Sequence, residues 1–243
     1  TAQRSKNMLY YSTQKQSSSV SLKEAVVKGL APDRGLYMPE TIRQLPASFY
    51  NEITGMSLTT IAQTVARTYF GEDIPKRELD AIVADSLNFE IPLRQVEDNI
   101  WVLELFHGPT YAFKDVGARF MARMLSHFVK QEQRQEVKVL VATSGDTGSA
   151  VANGFLGVEG IRVYVLYPSG KVSDIQEAQF TTLGQNILAL EVDGTFDDCQ
   201  ALVKNAFMDE ELNHRLSLTS ANSINVARFL PQSFYYFHAR AQL

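Results

Sequence analysis

The chain has 243 residues, 45% apolar and 21% charged, an ordinary balance for one large globular domain or two smaller ones with ample chain to bury a core. A formal net charge of -4, with no concentrated Lys/Arg face, argues against nucleic acid as a partner. The single cysteine, Cys199, excludes an intrachain disulfide and a cysteine-rich metal site, and no apolar run reaches the roughly 18 residues that a membrane-spanning helix needs.

Residues 1–7, TAQRSKN, have no apolar stretch of the kind a secretory signal requires, and Met8 reads as the natural start behind a short leader or tag. The sparse cysteine fits a reducing, cytoplasmic setting. From Met8 to about Val96 the pattern is mostly helical. Ser21–Leu30 opens with a serine cap and Glu24 three residues on, which predicts a reciprocal capping box. Ala31–Pro39 carries the Pro and Gly of a turn into a short extended piece. Ser57–Gly71 places Leu58, Ile61, Ala62, Val65 and Tyr69 on one helical face, and Pro75–Leu87 places Leu79, Ile82 and Val83 likewise.

At Ile100 the grammar changes, dividing a mostly helical region, 1–99, from an α/β core, 100–243. Trp101–Phe106, Val137–Thr143, Ile161–Tyr167 and Asn186–Val192 are short, nearly continuous apolar runs. Helical patterns lie between and after them: Asp115–Gln133, Thr147–Leu156, Ser173–Leu183 and Thr195–Met208. Buried strands alternating with helices predict a parallel sheet with crossover helices, and ligands in such sheets gather beyond the carboxyl ends of the strands.

The loop after the first run is HGPTYAFKD, His107–Asp115. Gly108 and Pro109 force a turn, and Lys114 falls at the start of a helix. The helix dipole disfavours a cation there, which favours the free amine that bonds to an aldehyde. An arbitrary lysine is far more often a solvated surface group, so position alone does not assign it. His107 and Thr110 suit turn hydrogen bonds as well as substrate contact. The loop after the second run, ATSGDTGSA (Ala142–Ala150), offers small residues, hydroxyls and the N–H groups of a helix start, which suit a carboxylate or phosphate and equally suit a plain helix cap. It is neither a Walker loop nor a dinucleotide fingerprint. Asp197 and Asp198 sit in a first helical turn where anions are favoured, and Cys199 beside them reads as a packed thiol. Asn225 and Arg228, three apart, share a helical face.

HGPTYAFKD is similar to the H-G-P-T-x-A-F-K-D segment of the threonine synthases, at every defined position. ATSGDTGSA resembles their S-G-D-T-G loop, SANSINVARFLPQ (Ser220–Gln232) their S-I-N-x-A-R-x-x-P-Q stretch, and Ala31–Pro39 their A-P-D-x-G-L-x-x-P segment. The resemblance runs from about Met8 to Leu243 and implies an α/β fold of fold-type II, with parallel sheets flanked by helices. It implies pyridoxal 5'-phosphate held by Lys114, and conversion of O-phospho-L-homoserine and water to L-threonine and phosphate by a monomer or small homo-oligomer. Ser144, Gly145, Thr147 and Gly148 would cradle the substrate carboxylate, Asn225 and Arg228 would serve the substrate, with Arg228 at its phosphate, and no metal is implied. Asp146 would lie near the cofactor's 3'-oxygen, where many relatives outside the threonine synthases carry asparagine. An acid there needs a proton or a compensating partner. The family's Gly/Asn-rich loop for the cofactor phosphate has no counterpart between Thr1 and Leu243, so the chain reads as an N-terminal part. The alternatives are a related phospho-lyase releasing a 2-oxo acid, ammonia and phosphate, or an inactive fragment.

Overall fold

A computed structural model describes residues 7–131 and 136–243. The proposed leader up to Lys6, and the last two residues of the helix expected over Asp115–Gln133, lie outside the described residues.

The first elements of the described residues are β1 (Leu9–Ser12), β2 (Val20–Ser21), α1 (Leu22–Lys28) and β3 (Tyr37–Pro39). The three strands pair antiparallel in the order β2-β1-β3. This sheet adds three short strands to a region whose longer elements are helices. Tyr10 and Ser12 face inward and Leu9 outward, a two-residue period over only four residues. Ser21 caps α1, its hydroxyl accepting from the Glu24 N–H at 3.2 Å. The reciprocal bond expected of Glu24 gives way to a forward one, because its carboxylate accepts from Lys28 a turn later, at 2.6 Å.

Next come α2 (Ala47–Glu52), a 3-10 turn (Ile53–Gly55), α3 (Leu58–Phe70) and α4 (Lys76–Ser86). Ile61, Ala62, Val65 and Tyr69 of α3, and Leu79, Ile82 and Val83 of α4, are buried as their spacing requires.

The first apolar run departs from expectation. Instead of entering the parallel sheet, its start forms β5 (Ile100–Leu103), paired antiparallel with β4 (Leu93–Glu97) in a two-stranded hairpin. Ile100, Trp101 and Val102 remain exposed. Asn99, in the tight turn, takes the left-handed conformation at φ 61°, which asparagine tolerates better than most residues.

The remaining elements are α5 (Lys114–Gln131), β6 (Val137–Ala142), α6 (Asp146–Phe155), β7 (Ile161–Pro168), α7 (Asp174–Thr181), β8 (Ile187–Val192), α8 (Phe196–Met208), α9 (Glu210–Leu216), β9 (Leu218–Ser220), α10 (Val226–Phe229) and α11 (Gln232–Gln242). The expected parallel sheet is present, in the order β8-β7-β6-β9. The chain steps from β6 outward to β8, then crosses back to place β9 on the far side of β6. The strand order therefore reverses between β6 and β9, and an open α/β sheet splits into a crevice at such a point. The loops after β6 and β9 both border it.

α5 is buried along most of its length, against α1, α4, α6 and α10. Arg119 fixes its depth. The guanidinium donates to the carbonyl oxygens of Ser86 (3.0 Å) and Asp85 (2.8 Å) and to Asn88 Oδ1 (2.9 Å), satisfying the orphan acceptors where α4 ends. Arg123 adds a bond to the carbonyl of Gly154 in α6 at 2.6 Å. The start of α5, and with it Lys114, is thereby held against the sheet domain. Among the described residues no helix is long and apolar enough to cross a membrane.

Candidate active site

Lys114 is the first residue of α5, and its side chain is about one-quarter exposed. The turn before it is closed from within the helix. Asp115 accepts from the Thr110 N–H at 2.9 Å and from the Thr110 hydroxyl at 2.6 Å. Gly108 is required here, since a Cβ would lie 2.5 Å from Asp115 Oδ2. Asp115 is 1% exposed, and burial pushes its carboxyl up from the usual range while the Thr110 donors hold the charged form. The turn uses Thr110, and His107 meets Glu104, Nε2 to Oε2 at 2.7 Å. Phe113 packs beside the lysine, whose Nζ lies 5.2 Å from the ring centroid.

The second loop is fastened by the residue that directly follows β6. Thr143 Oγ1 accepts from the N–H of Gly145 (2.9 Å) and of Gly148 (2.8 Å). A Cβ on Gly148 would stand 2.4 Å from the Thr143 methyl carbon, and Gly145 has φ 145°, so both glycines are demanded by geometry. The amides of Gly145 and Gly148 are therefore already engaged. The N–H groups of Asp146 and Thr147, in the first turn of α6, have no carbonyl within the helix to meet. Ser144 is exposed at the loop tip.

Asp146 joins the two loops. Its Oδ2 lies 3.7 Å from Lys114 Nζ, and its Oδ1 accepts from Gln176 Nε2 at 2.5 Å.

Beyond β9, Asn225 is fully buried and its amide is committed within the chain. Nδ2 donates to the Val26 carbonyl at 2.8 Å, and Oδ1 accepts from the Ala227 N–H at 2.9 Å, capping α10. Three residues on, Arg228 is 2% exposed. Its Nη1 donates to the Ala221 carbonyl at 2.5 Å, and no carboxylate among the described residues pairs with it. Burial alone pushes its guanidinium down to about 10. A buried cation without a counter-charge is costly, and an anion brought alongside would offset that cost. Arg228 lines a cavity of about 310 Å³ together with Phe113, Lys114, Gly117, Ser223 and Gln232. Gly117 lets α5 approach α10, because a Cβ there would be 2.5 Å from the Arg228 carbonyl oxygen. Ser223 also borders a larger cavity of about 580 Å³ over the C-terminal end of β6, which Thr147 lines.

Asp197 and Asp198 have no part in this cluster. Asp198 completes a capping box at the start of α8, accepting from the Thr195 N–H (2.7 Å) and hydroxyl (2.8 Å), and the Cys199 thiol is buried and pushed up, first by desolvation and then by Asp198. The Thr-x-x-Asp spacing was the available signal. Among the described residues no group of His, Cys, Asp and Glu is arranged to hold a metal ion.

Comparison with known proteins finds two matching family profiles, "Threonine synthase N terminus" over residues 9–87 and "Pyridoxal-phosphate dependent enzyme" over residues 86–230. The chain is 44% identical to the threonine synthase of Escherichia coli and 47% identical to that of Haemophilus influenzae, each over 97% of this chain and 54% of the relative. The crystal structure of pyridoxal-phosphate-bound threonine synthase from Brucella melitensis superposes with a TM-score of 0.92 at 39% identity, covering 97% of this chain and 52% of that one. The chain thus spans about half the length of the curated relatives it matches.

Proposed function

This chain belongs to the pyridoxal-phosphate dependent enzymes and matches the N-terminal part of the threonine synthases, and from that premise we propose that the whole protein converts O-phospho-L-homoserine and water to L-threonine and phosphate. One observation carries the reading. The amine of Lys114 and the buried guanidinium of Arg228, which meets no carboxylate among the described residues, line one cavity of about 310 Å³. That donor set fits a cofactor that bonds to an amine, beside a substrate that carries a phosphate. We read the architecture as fold-type II and the setting as cytoplasmic.

Pyridoxal 5'-phosphate, when bound, supplies an aldehyde for the lysine amine and an electron-accepting ring. The chain's own residues supply the rest. Lys114 holds the cofactor, and its freed amine takes protons from Cα and then Cβ of the substrate. Asp146 keeps that amine beside the β6–α6 loop. The first-turn N–H groups of α6, at Asp146 and Thr147, take the substrate carboxylate, with Ser144 and Thr147 adding hydroxyls and Gly145 and Gly148 shaping the loop. Arg228 takes the phosphate as it leaves Cγ, and Asn225 acts through the cap that places Arg228.

The test is incubation of the whole protein with pyridoxal 5'-phosphate and O-phospho-L-homoserine. Threonine and phosphate in equal amounts support the proposal. A 2-oxo acid with ammonia and phosphate would assign the eliminating reaction instead, and no phosphate release from protein that retains the cofactor would refute both.

A further inference from the structure

We propose that Gln176, on the first turn of α7, is a positioning residue that holds Asp146 against Lys114. The inference rests on the functional reading above and adds a residue from a different crossover helix. The Gln176 amide donates to Asp146 Oδ1 at 2.5 Å, which leaves Oδ2 as the oxygen facing Lys114 at 3.7 Å. The Asp146 side chain is more than half exposed. Such a carboxylate would otherwise exchange among rotamers in water, and one fixed donor selects the rotamer that points to the lysine.

Gln176 is itself held in place. Ser173 Oγ donates to its Oε1 at 3.1 Å, and Ser149 Oγ, from α6, donates to its backbone carbonyl at 3.3 Å. Gly145 gives the amide its seat, since a Cβ at that position would lie 2.4 Å from Gln176 Oε1. The glycine therefore has two causes: its own φ of 145°, and the close approach of this side chain. Chemistry selects an amide over an acid. Glutamine presents an N–H to the carboxylate and an acceptor to Ser173, whereas glutamate would place a second anion beside Asp146.

Trapping pyridoxal 5'-phosphate on Lys114 of the whole protein with cyanoborohydride, followed by peptide mapping, reads the effect without any turnover. Gln176→Met, which keeps the volume, slows capture about fivefold when Asp146 is present and has no further effect in an Asp146→Ala background. Gln176→Glu, which keeps the shape, slows it at least as much. Capture at the wild-type rate in both variants overturns the proposal. So does a slowing that persists undiminished with Asp146→Ala, because Gln176 would then act only as packing for the loop. Wild-type protein that takes no cofactor at Lys114 overturns the functional reading, and this inference with it.

Discussion

Residues 107–115 and residues 143–148 both lie on the way from a strand into a helix, yet the first loop is closed by a carboxylate and the second by a hydroxyl. In the first, Asp115 reaches back to Thr110, so the fastening uses side chains and the turn's own backbone and leaves Lys114 free to project. In the second, Thr143 binds the loop by its amides, so fastening consumes two of the N–H groups that an anion could have used. A loop that presents a side chain can be tied anywhere except at that side chain. One that presents backbone donors must divide them between its own shape and its ligand.

Removing the carboxylate breaks this comparison most severely. Asp115→Ala leaves the buried Thr110 donors unmet and is expected to cost about 3 kcal/mol in denaturant unfolding, with capture of the cofactor at Lys114 slowed about tenfold. Stability within about 0.5 kcal/mol of wild type would show that the turn does not depend on Asp115.

In the second loop, Gly148→Ala drives a methyl into Thr143 and is expected to cost about 2 kcal/mol. Thr143→Val keeps the shape, removes the acceptor of the two amides together with the donor to the Gly145 carbonyl, and is expected to cost about 1–2 kcal/mol. If Gly148→Ala is harmless while Thr143→Val is not, the hydroxyl matters and the close approach does not.

Arg228 separates fold from function at the cavity that Lys114 shares. Arg228→Met removes a buried cation that meets no carboxylate among the described residues but also strips the Ala221 carbonyl of its donor, so stability is expected to change by no more than about 1 kcal/mol, while KM for the phosphorylated substrate rises at least about tenfold. Loss of stability without a change in KM would make Arg228 a structural residue.

The smallest effect lies away from both loops and serves as their control. Burial, then the neighbouring Glu72 charge, pushes the Asp73 carboxyl up to about 6, and its Oδ2 is buried without a partner. The folded state holds this proton more tightly than the unfolded chain, whose carboxyl titrates near about 3.9. Its stabilising contribution is therefore complete below about pH 4 and is lost as pH rises through about 6. Asp73→Asn should gain on wild type as pH rises between those limits, reaching about 1 kcal/mol above about pH 6, the full shift being discounted for solvent screening, with no change in cofactor capture. A gain that shrinks as pH rises would reverse the sign.

Much of this was legible in the sequence. The spacing of Ile61, Ala62 and Val65 gave α3, and the three later apolar runs gave β6, β7 and β8. Trp101–Phe106 shares their composition, so the run alone could not separate a hairpin strand from a core strand; Asp98–Asn99 was the turn signal that outranked it. Leu218–Ser220 is too short and too polar to read as a strand, and only pairing with β6 makes it one. At the site, the loops carrying Lys114 and Asp146 could be located from local pattern. Gln176 could not, because it stands 30 positions beyond Asp146 and the two meet only when α7 docks on α6.

The central claim is that Lys114 is the amine that bonds to the cofactor. Borohydride reduction of the whole protein with pyridoxal 5'-phosphate, followed by peptide mapping, tests it most directly. A single pyridoxyl group on the peptide containing Lys114, absent from Lys114→Ala, is the predicted result; a pyridoxyl group on another lysine, or on none, would contradict it.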